Sequence, residues 1–339
     1  MSIVTRFREP RTRWILRGVG ALLAIYVVGV FALMWWWSYE PEQFDVAAAA
    51  RQHAAAHQQQ PLTGTAVTAA LMQCAETLLD KRGGYISNDK FPPGVMMDNV
   101  PNWEFGVLTA TRDLAREMRN KFSRSQSQSE EDVDLKEADP LFSSPNDRWL
   151  LPSSEGQYRK AIDHVDGYLA RLGKNDPNGA QFYARADNLA DYLDTVSSRL
   201  GSLSQRLSAS VGQIQLEGDK PVDPSAPAPA AGKAPTVVKT PWYKIDDIFY
   251  ESRGYTWALL EQLKAIEADF APILERKNAM VSLKQVIREL EESQKPVHSP
   301  IILNGSPFGF FANHSLVMAN YVSRANAAVI DLKALLDRG

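Results

Sequence analysis

From Gly18 to Trp37 the chain runs for 20 residues without a charged side chain. A helix of that length, at about 1.5 Å per residue, matches a hydrocarbon core of about 30 Å. A transmembrane helix is therefore predicted over 18–38. Trp14 on one side and Trp35, Trp36 and Trp37 on the other mark its two interfaces, where amphipathic rings prefer the headgroup layer. The competing reading is a cleaved signal peptide, which needs a shorter apolar run followed closely by small residues. Here the alanine cluster Ala47 to Ala50 comes well after the tryptophans, so an uncleaved signal anchor is expected.

Beyond the span the periodicity is helical almost throughout. Residues 46–60, rich in Ala, Gln and His, read as a polar helical stalk or linker within 39–63. An amphipathic helix is predicted over 65–81, ended by Gly83-Gly84. Another is predicted over 102–122, with Phe105, Leu108, Ala115, Met118 and Phe122 on one face. Residues 123–152, Ser/Gln-rich and then acidic, read as an irregular solvated loop. Tyr158, Ile162, Val165, Leu169 and Leu172 recur at intervals of 4 and 3, and so do Phe182, Ala186, Leu189, Leu193, Val196, Leu200, Leu203 and Leu207. The second set is a heptad-like seam, predicting a helix over about 180–214 that is about 50 Å long.

Six prolines between Gly218 and Pro241 cannot continue a helix or a central strand, so an exposed loop is expected to divide a first half, 64–217, from a second, 242–339. The second half carries an apolar stripe from Ile248 to Phe270, a break at Pro272 and a continuation over 273–292. Ser306-Pro307 reads as a helix-start signal. From there Phe311, Ser315, Met318, Val322, Ala325, Val329, Leu332 and Leu336 form a second seam. The triplets at 95–97 and 301–303 precede similar Asn/Asp and Pro spacings, and convergent capping chemistry explains them more simply than duplication. If they pair, they form at most a two-stranded ribbon. The expected fold is all-α: a transmembrane helix followed by an elongated bundle with long coiled-coil-like helices.

Charge sharpens the topology. The chain has 37 Lys+Arg against 40 Asp+Glu. Residues 1–17 contain five arginines and one Glu, a balance of +4, which leaves 32 basic against 39 acidic residues, or −7, for the remainder. That body is not built to neutralise phosphates, so no nucleic-acid partner is expected. The basic tail precedes the span, and Glu40, Glu42 and Asp45 follow it. The positive-inside bias then predicts a cytoplasmic N-terminus and a periplasmic bulk at a bacterial inner membrane.

No motif names a reaction. His53 and His57 stand i, i+4 as zinc ligands do, but with three alanines between them and no general-base Glu. The acidic run at 130–139 lacks calcium-loop spacing. Cys74 shares a stripe with Val67, Leu71 and Leu78 and reads as a core thiol. No catalytic residue, cofactor or metal is expected. The candidate interaction or cleft residues are Asp98, Trp103 and Glu104 at the start of one helix, and Arg185, Asp187 and Asn188 beside a seam. In each case the structural alternative is a salt bridge or a helix-end contact.

The strings PNWEFGVL (101–108), FSRSQSQSEED (122–132), ARADNLADYL (184–193) and SSRLGSLSQRLSASVGQ (197–213), behind an N-terminal span, resemble a proteobacterial family of single-span membrane proteins known only as a conserved domain of unknown function. The resemblance implies no activity. The expectation is a membrane-anchored helical interaction or scaffold protein that docks to an envelope partner or self-associates through its long helices. The alternative is an envelope enzyme or receptor with a polar cleft between the halves, formed by Asp98, Glu104, Arg185 and Asp187.

Overall fold

The computed structural model describes residues 10–125, 130–174, 179–215, 236–297, 299, 301–305 and 310–338. The apolar run lies in helix α1, Pro10–Trp37. Helix α2, Val46–Ala56, starts where Asp45 Oδ1 accepts from the Ala47 and Ala48 N–H groups. Then come α3, Thr65–Asp80, and α4, Asn99–Glu117, which continues over Met118–Phe122 in wider π-type turns. Next are α5, Val133–Phe142; α6, Ser154–Leu172; and α7, Ala186–Ser208. Strands β1, Gln213–Gln215, and β2, Thr236–Val238, pair antiparallel with Gln213 opposite Val238. The second half supplies α8, Ile245–Asp269; α9, Ala271–Arg276; α10, Met280–Ser293; and α11, His314–Asp337.

One core draws on both halves: Leu108, Leu200, Leu259 and Val322 are all fully buried within it. Its spine is the parallel pair α4 and α8, which cross at two glycines. A Cβ on Gly254 would stand 1.9 Å from the Trp103 carbonyl oxygen, and one on Gly106 would stand 2.1 Å from that of Glu251. Only glycine permits backbones this close. The two heptad-like seams face each other. Helices α7 and α11 run antiparallel, with Ser197 Oγ 2.8 Å from Asn326 Oδ1 and Lys333 paired to Asp194. Leu193, Val196 and Leu200 are buried against this joint, each contributing about 1.5–3 kcal/mol by burial.

The helices define two ends. At the near end α3 finishes, α4, α6, α8 and α11 begin, and α1 leaves. At the far end α3 begins, α4 and α8 finish, and Lys277 Nζ donates to the Arg338 carbonyl. The 16 residues of α3 set these ends about 24 Å apart.

Several boundaries differ from the sequence expectation. The 39–63 stalk is part of the body: Val46, Ala49, Ala50, His53 and Ala54 of α2 are buried. The 123–152 loop contains α5, capped by Asp132 and burying Leu135, Ala138 and Phe142. Phe105 stands 37% exposed, and Trp103 takes the buried place instead. Helix α7 begins at Ala186 and is about 35 Å long, because the Tyr183 N–H turns back to the Phe122 carbonyl and Phe182 joins a ring cluster. The expected 273–292 helix breaks at Asn278, whose φ is 53°. Helix α11 starts only at His314, capped by Asn313. The short ribbon forms at 213–215 and 236–238, and Val95 and Met96 lie in a 3₁₀ turn. The Pro-rich stretch at 216–235, the Ser/Gln positions 126–129, the turn at 175–178 and the Ser306-Pro307 start signal lie outside the described residues.

Candidate functional site at the helix exit

The Lys-Arg-Gly-Gly string that ends α3 meets the end of α1. Gly83 has φ +84°, and a Cβ there would stand 2.6 Å from the Trp37 ring. The Arg82 guanidinium lies 4.5 Å from the Trp36 ring centroid and 5.1 Å from that of Tyr39, within cation–π range. One residue after Tyr39, Glu40 accepts from Arg253 Nε at 2.8 Å and Nη2 at 2.6 Å. Arg253 is itself buried and also donates to the Ser293 and Lys295 carbonyls, so it closes the C-terminal end of α10. The end of the apolar helix is thereby tied to α3, α8 and α10.

Beneath this joint lies a second buried pair. Lys81 Nζ is 2.5 Å from Glu104 Oε1, with both side chains withdrawn from solvent. Glu104 also accepts from the Ile86 and Ser87 N–H groups at 2.8 Å each and from the Ser87 hydroxyl, while Lys81 donates to the Gly84 carbonyl. Glu104 stands in the second turn of α4, and each group that it contacts through these bonds is a donor. Such a group holds the 84–87 turn in place. A shallow crevice between the exit and α4 is lined by Tyr39, Pro41, Asn99, Trp103 and Tyr250, with Lys81 and Glu40 at its polar wall.

The candidate residues fall at opposite ends. Asp98 caps α4 by accepting from the Asn99 N–H, and Trp103 is buried 5.4 Å from the Trp257 ring centroid. These two and Glu104 belong to the near end. Arg185 and Asp187 pair with each other at the far end, and Asn188 donates to the Tyr183 and Lys121 carbonyls. Partial burial opposes ionisation of Asp187, but the hydrogen bond from Arg185 outweighs it and holds the carboxyl below its ordinary range. Glu104 and the Lys121 carbonyl are 17 residues apart along α4, or about 25 Å, so the four polar residues do not share one cleft.

The histidines and the acidic run are likewise engaged in the fold. His57 lies 2.7 Å from Asp166, while His53 faces Glu76 at 3.9 Å, so the histidines do not converge. The acidic run is held by arginines: Arg119 takes Glu131 and Asp139, and Arg171 takes Asp132 and Asp134. No group of three or more metal-ligating side chains occurs among the described residues. Cys74 is fully buried, and burial pushes its thiol well up. Burial also pushes Glu261 up to about 7, and neither of its oxygens has a hydrogen-bond partner among the described residues. Sequence reasoning missed Glu40, Lys81, Arg82 and Arg253. The available signal was a Lys-Arg-Gly-Gly turn with a Glu near the start of a helix some twenty residues later.

These features define a class: an all-helical body joined through a polar and aromatic collar to one N-terminal helix long and apolar enough to cross a membrane. The chain belongs to a family of uncharacterized proteins conserved in bacteria (DUF2333), whose model matches residues 8–339. No curated protein and no solved structure matches it.

Proposed function

We propose that this protein is a membrane-anchored helical interaction protein of the bacterial envelope, with α1 as an uncleaved anchor, the basic tail in the cytoplasm and the body in the periplasm. The joint at the helix exit carries the reading. A flexible tether would need no Arg253–Glu40 pair and no Gly83 seat for Trp37, whereas a body that must be presented at a fixed attitude to the bilayer needs both. The arginine excess before the span and the acidic residues after it support the orientation. Because the α7 and α11 seams cover each other, partner contact falls to the outer helix faces and the ends of the bundle, not to a seam-to-seam coiled coil.

Photo-crosslinking of the full chain in cells, from outward positions on α5 and α6, tests the reading. A reproducible adduct with one envelope protein, or with a second copy of the chain, is the expected result; its absence from every position overturns the interaction role. Alkaline phosphatase fused after residue 60 is expected to be active, and an inactive fusion reverses the orientation.

A further inference from the structure

We infer that the near end of the bundle is a second membrane contact: the exposed apolar side chains around Phe91, Trp149, Leu150 and Leu151 enter the headgroup layer of the phospholipid bilayer that α1 crosses. This rests on the anchor reading of α1. The first observation is how exposed apolar surface is distributed. Among the described residues of the body, the exposed Phe and Trp side chains are Phe91, Phe105, Trp149, Trp242, Phe310 and Phe311, and each lies in a near-end segment. The exposed large apolar residues of the far end, such as Leu62, Val133 and Val281, are aliphatic and scattered. Aromatic rings gathered at one level are the composition of an interfacial belt.

The second observation is that the loops carrying these residues are built, not loose. Tyr85 Oη donates to the Asn146 carbonyl, and Asn88 Nδ2 donates to the Arg148 carbonyl and to Glu155. Ser154 N–H also donates to the Arg148 carbonyl. Phe91 meets Trp149 edge to face at 5.8 Å between centroids. The 85–97 and 143–154 loops are therefore one unit, and it starts at Gly83, the residue on which Trp37 sits. A fixed unit nonetheless leaves Leu150 70% and Leu151 98% exposed. Such exposure, held in place by hydrogen bonds, calls for an apolar occupant.

Helix α1 gives the third. Val30 is only 8% exposed between neighbours such as Val28 and Phe31 that are open, and Met34 and Trp37 on the same face are half-buried. Burial on α1 is thus confined to one face near its end, Val30, Met34 and Trp37, which turns toward the body. Lys90 and Arg148 flank the apolar rings and suit phosphate groups, but Asp147 offsets part of that attraction. Insertion is therefore carried by apolar area, at about 1.5–3 kcal/mol for each side chain fully withdrawn from water.

The test uses the full chain in nanodiscs of phosphatidylethanolamine and phosphatidylglycerol. A thiol-reactive nitrobenzoxadiazole dye is attached in turn to Leu151→Cys, to Val28→Cys within α1 and to Val281→Cys at the far end. Cys74 is buried and stays unlabelled, which the parent chain verifies. The expected result is a blue-shifted emission, quenched by doxyl-labelled lipid, at 151 and at 28, with neither effect at 281. If 28 is quenched and 151 behaves like 281, the second contact is wrong and the anchor stands. A blue-shifted but unquenched dye at 151 means protein covers that surface and also overturns the proposal. An unquenched dye at 28 removes the anchor reading and the inference together.

Discussion

At the helix exit, charged side chains are held in pairs, Lys81 with Glu104, both buried, and the buried Arg253 with the half-buried Glu40, each completed by backbone groups. The core of the far end is instead closed by rings. Phe122, Phe182 and Phe270 lie 5.3–5.7 Å apart between centroids, and Asp269 caps α3 by accepting from the Val67 N–H. Apolar packing is tolerant and holds elements together from any direction. Buried ion pairs work only in one geometry, since a displaced partner leaves an unpaired charge in the interior. The far end has ion pairs too, Arg119 with Asp139 and Arg171 with Asp132, but their arginines stay 25–30% exposed, so the most deeply buried pair, Lys81 with Glu104, lies where the apolar helix joins the body.

Lys81→Met breaks this contrast most severely. It leaves Glu104 buried without its cation and is expected to cost about 3–5 kcal/mol, read as a fall in the unfolding midpoint. Adding Glu104→Gln should recover part of the loss, because an amide oxygen still accepts from the 86–87 turn. No recovery in the double variant would mean that packing, not charge, dominates the near end.

The far end should respond to pH. Burial pushes Glu117 up to about 7, with Asp191 adding to it, and pushes Asp269 up to about 6 against the backbone N–H groups that favour its ionised form. Both groups hold protons in the folded state that the unfolded chain releases earlier. Stability is therefore expected to fall as pH rises from about 4 to about 7 and to level off above, at about 1.4 kcal/mol per unit of displacement at most. Asp269→Asn and Glu117→Gln should flatten that slope. Hydrogen exchange, corrected for its intrinsic pH dependence, should quicken with pH more steeply at 64–67 and 118–122 than at 86–87, where burial raises Asp89 as well. A uniform response would erase the distinction between the ends.

Arg82→Ala is the mildest change. Its guanidinium is solvent-facing over Trp36 and Tyr39, so the expected loss is about 0.5–1 kcal/mol. The visible effect should be a more mobile spin label at Ser38, with the unfolding midpoint barely moved.

The sequence made the helices legible where the core faced one stripe. Tyr158, Ile162, Val165, Leu169 and Leu172 are all buried, as their spacing required. It failed where alanine or acidic residues carried the packing. The face of α2 is mostly alanine and histidine, and the apolar positions of α5 are interleaved with carboxylates, some of whose arginine partners lie elsewhere in the chain. The two seams were visible, but not that each was the other's partner. Of the candidate site, Glu104 was singled out without Lys81, because a pair joined across 23 residues of turn and helix leaves no periodic trace.

The central claim, that the aromatic end faces the bilayer and the ring-closed end points away, is tested most directly by energy transfer. A donor on Phe91→Cys or on Leu62→Cys of the full chain in nanodiscs is paired with acceptors on the lipid headgroups. Strong transfer at 91 and weak transfer at 62 are expected, consistent with ends about 24 Å apart along α3. Equal transfer at the two positions, or stronger transfer at 62, would contradict it.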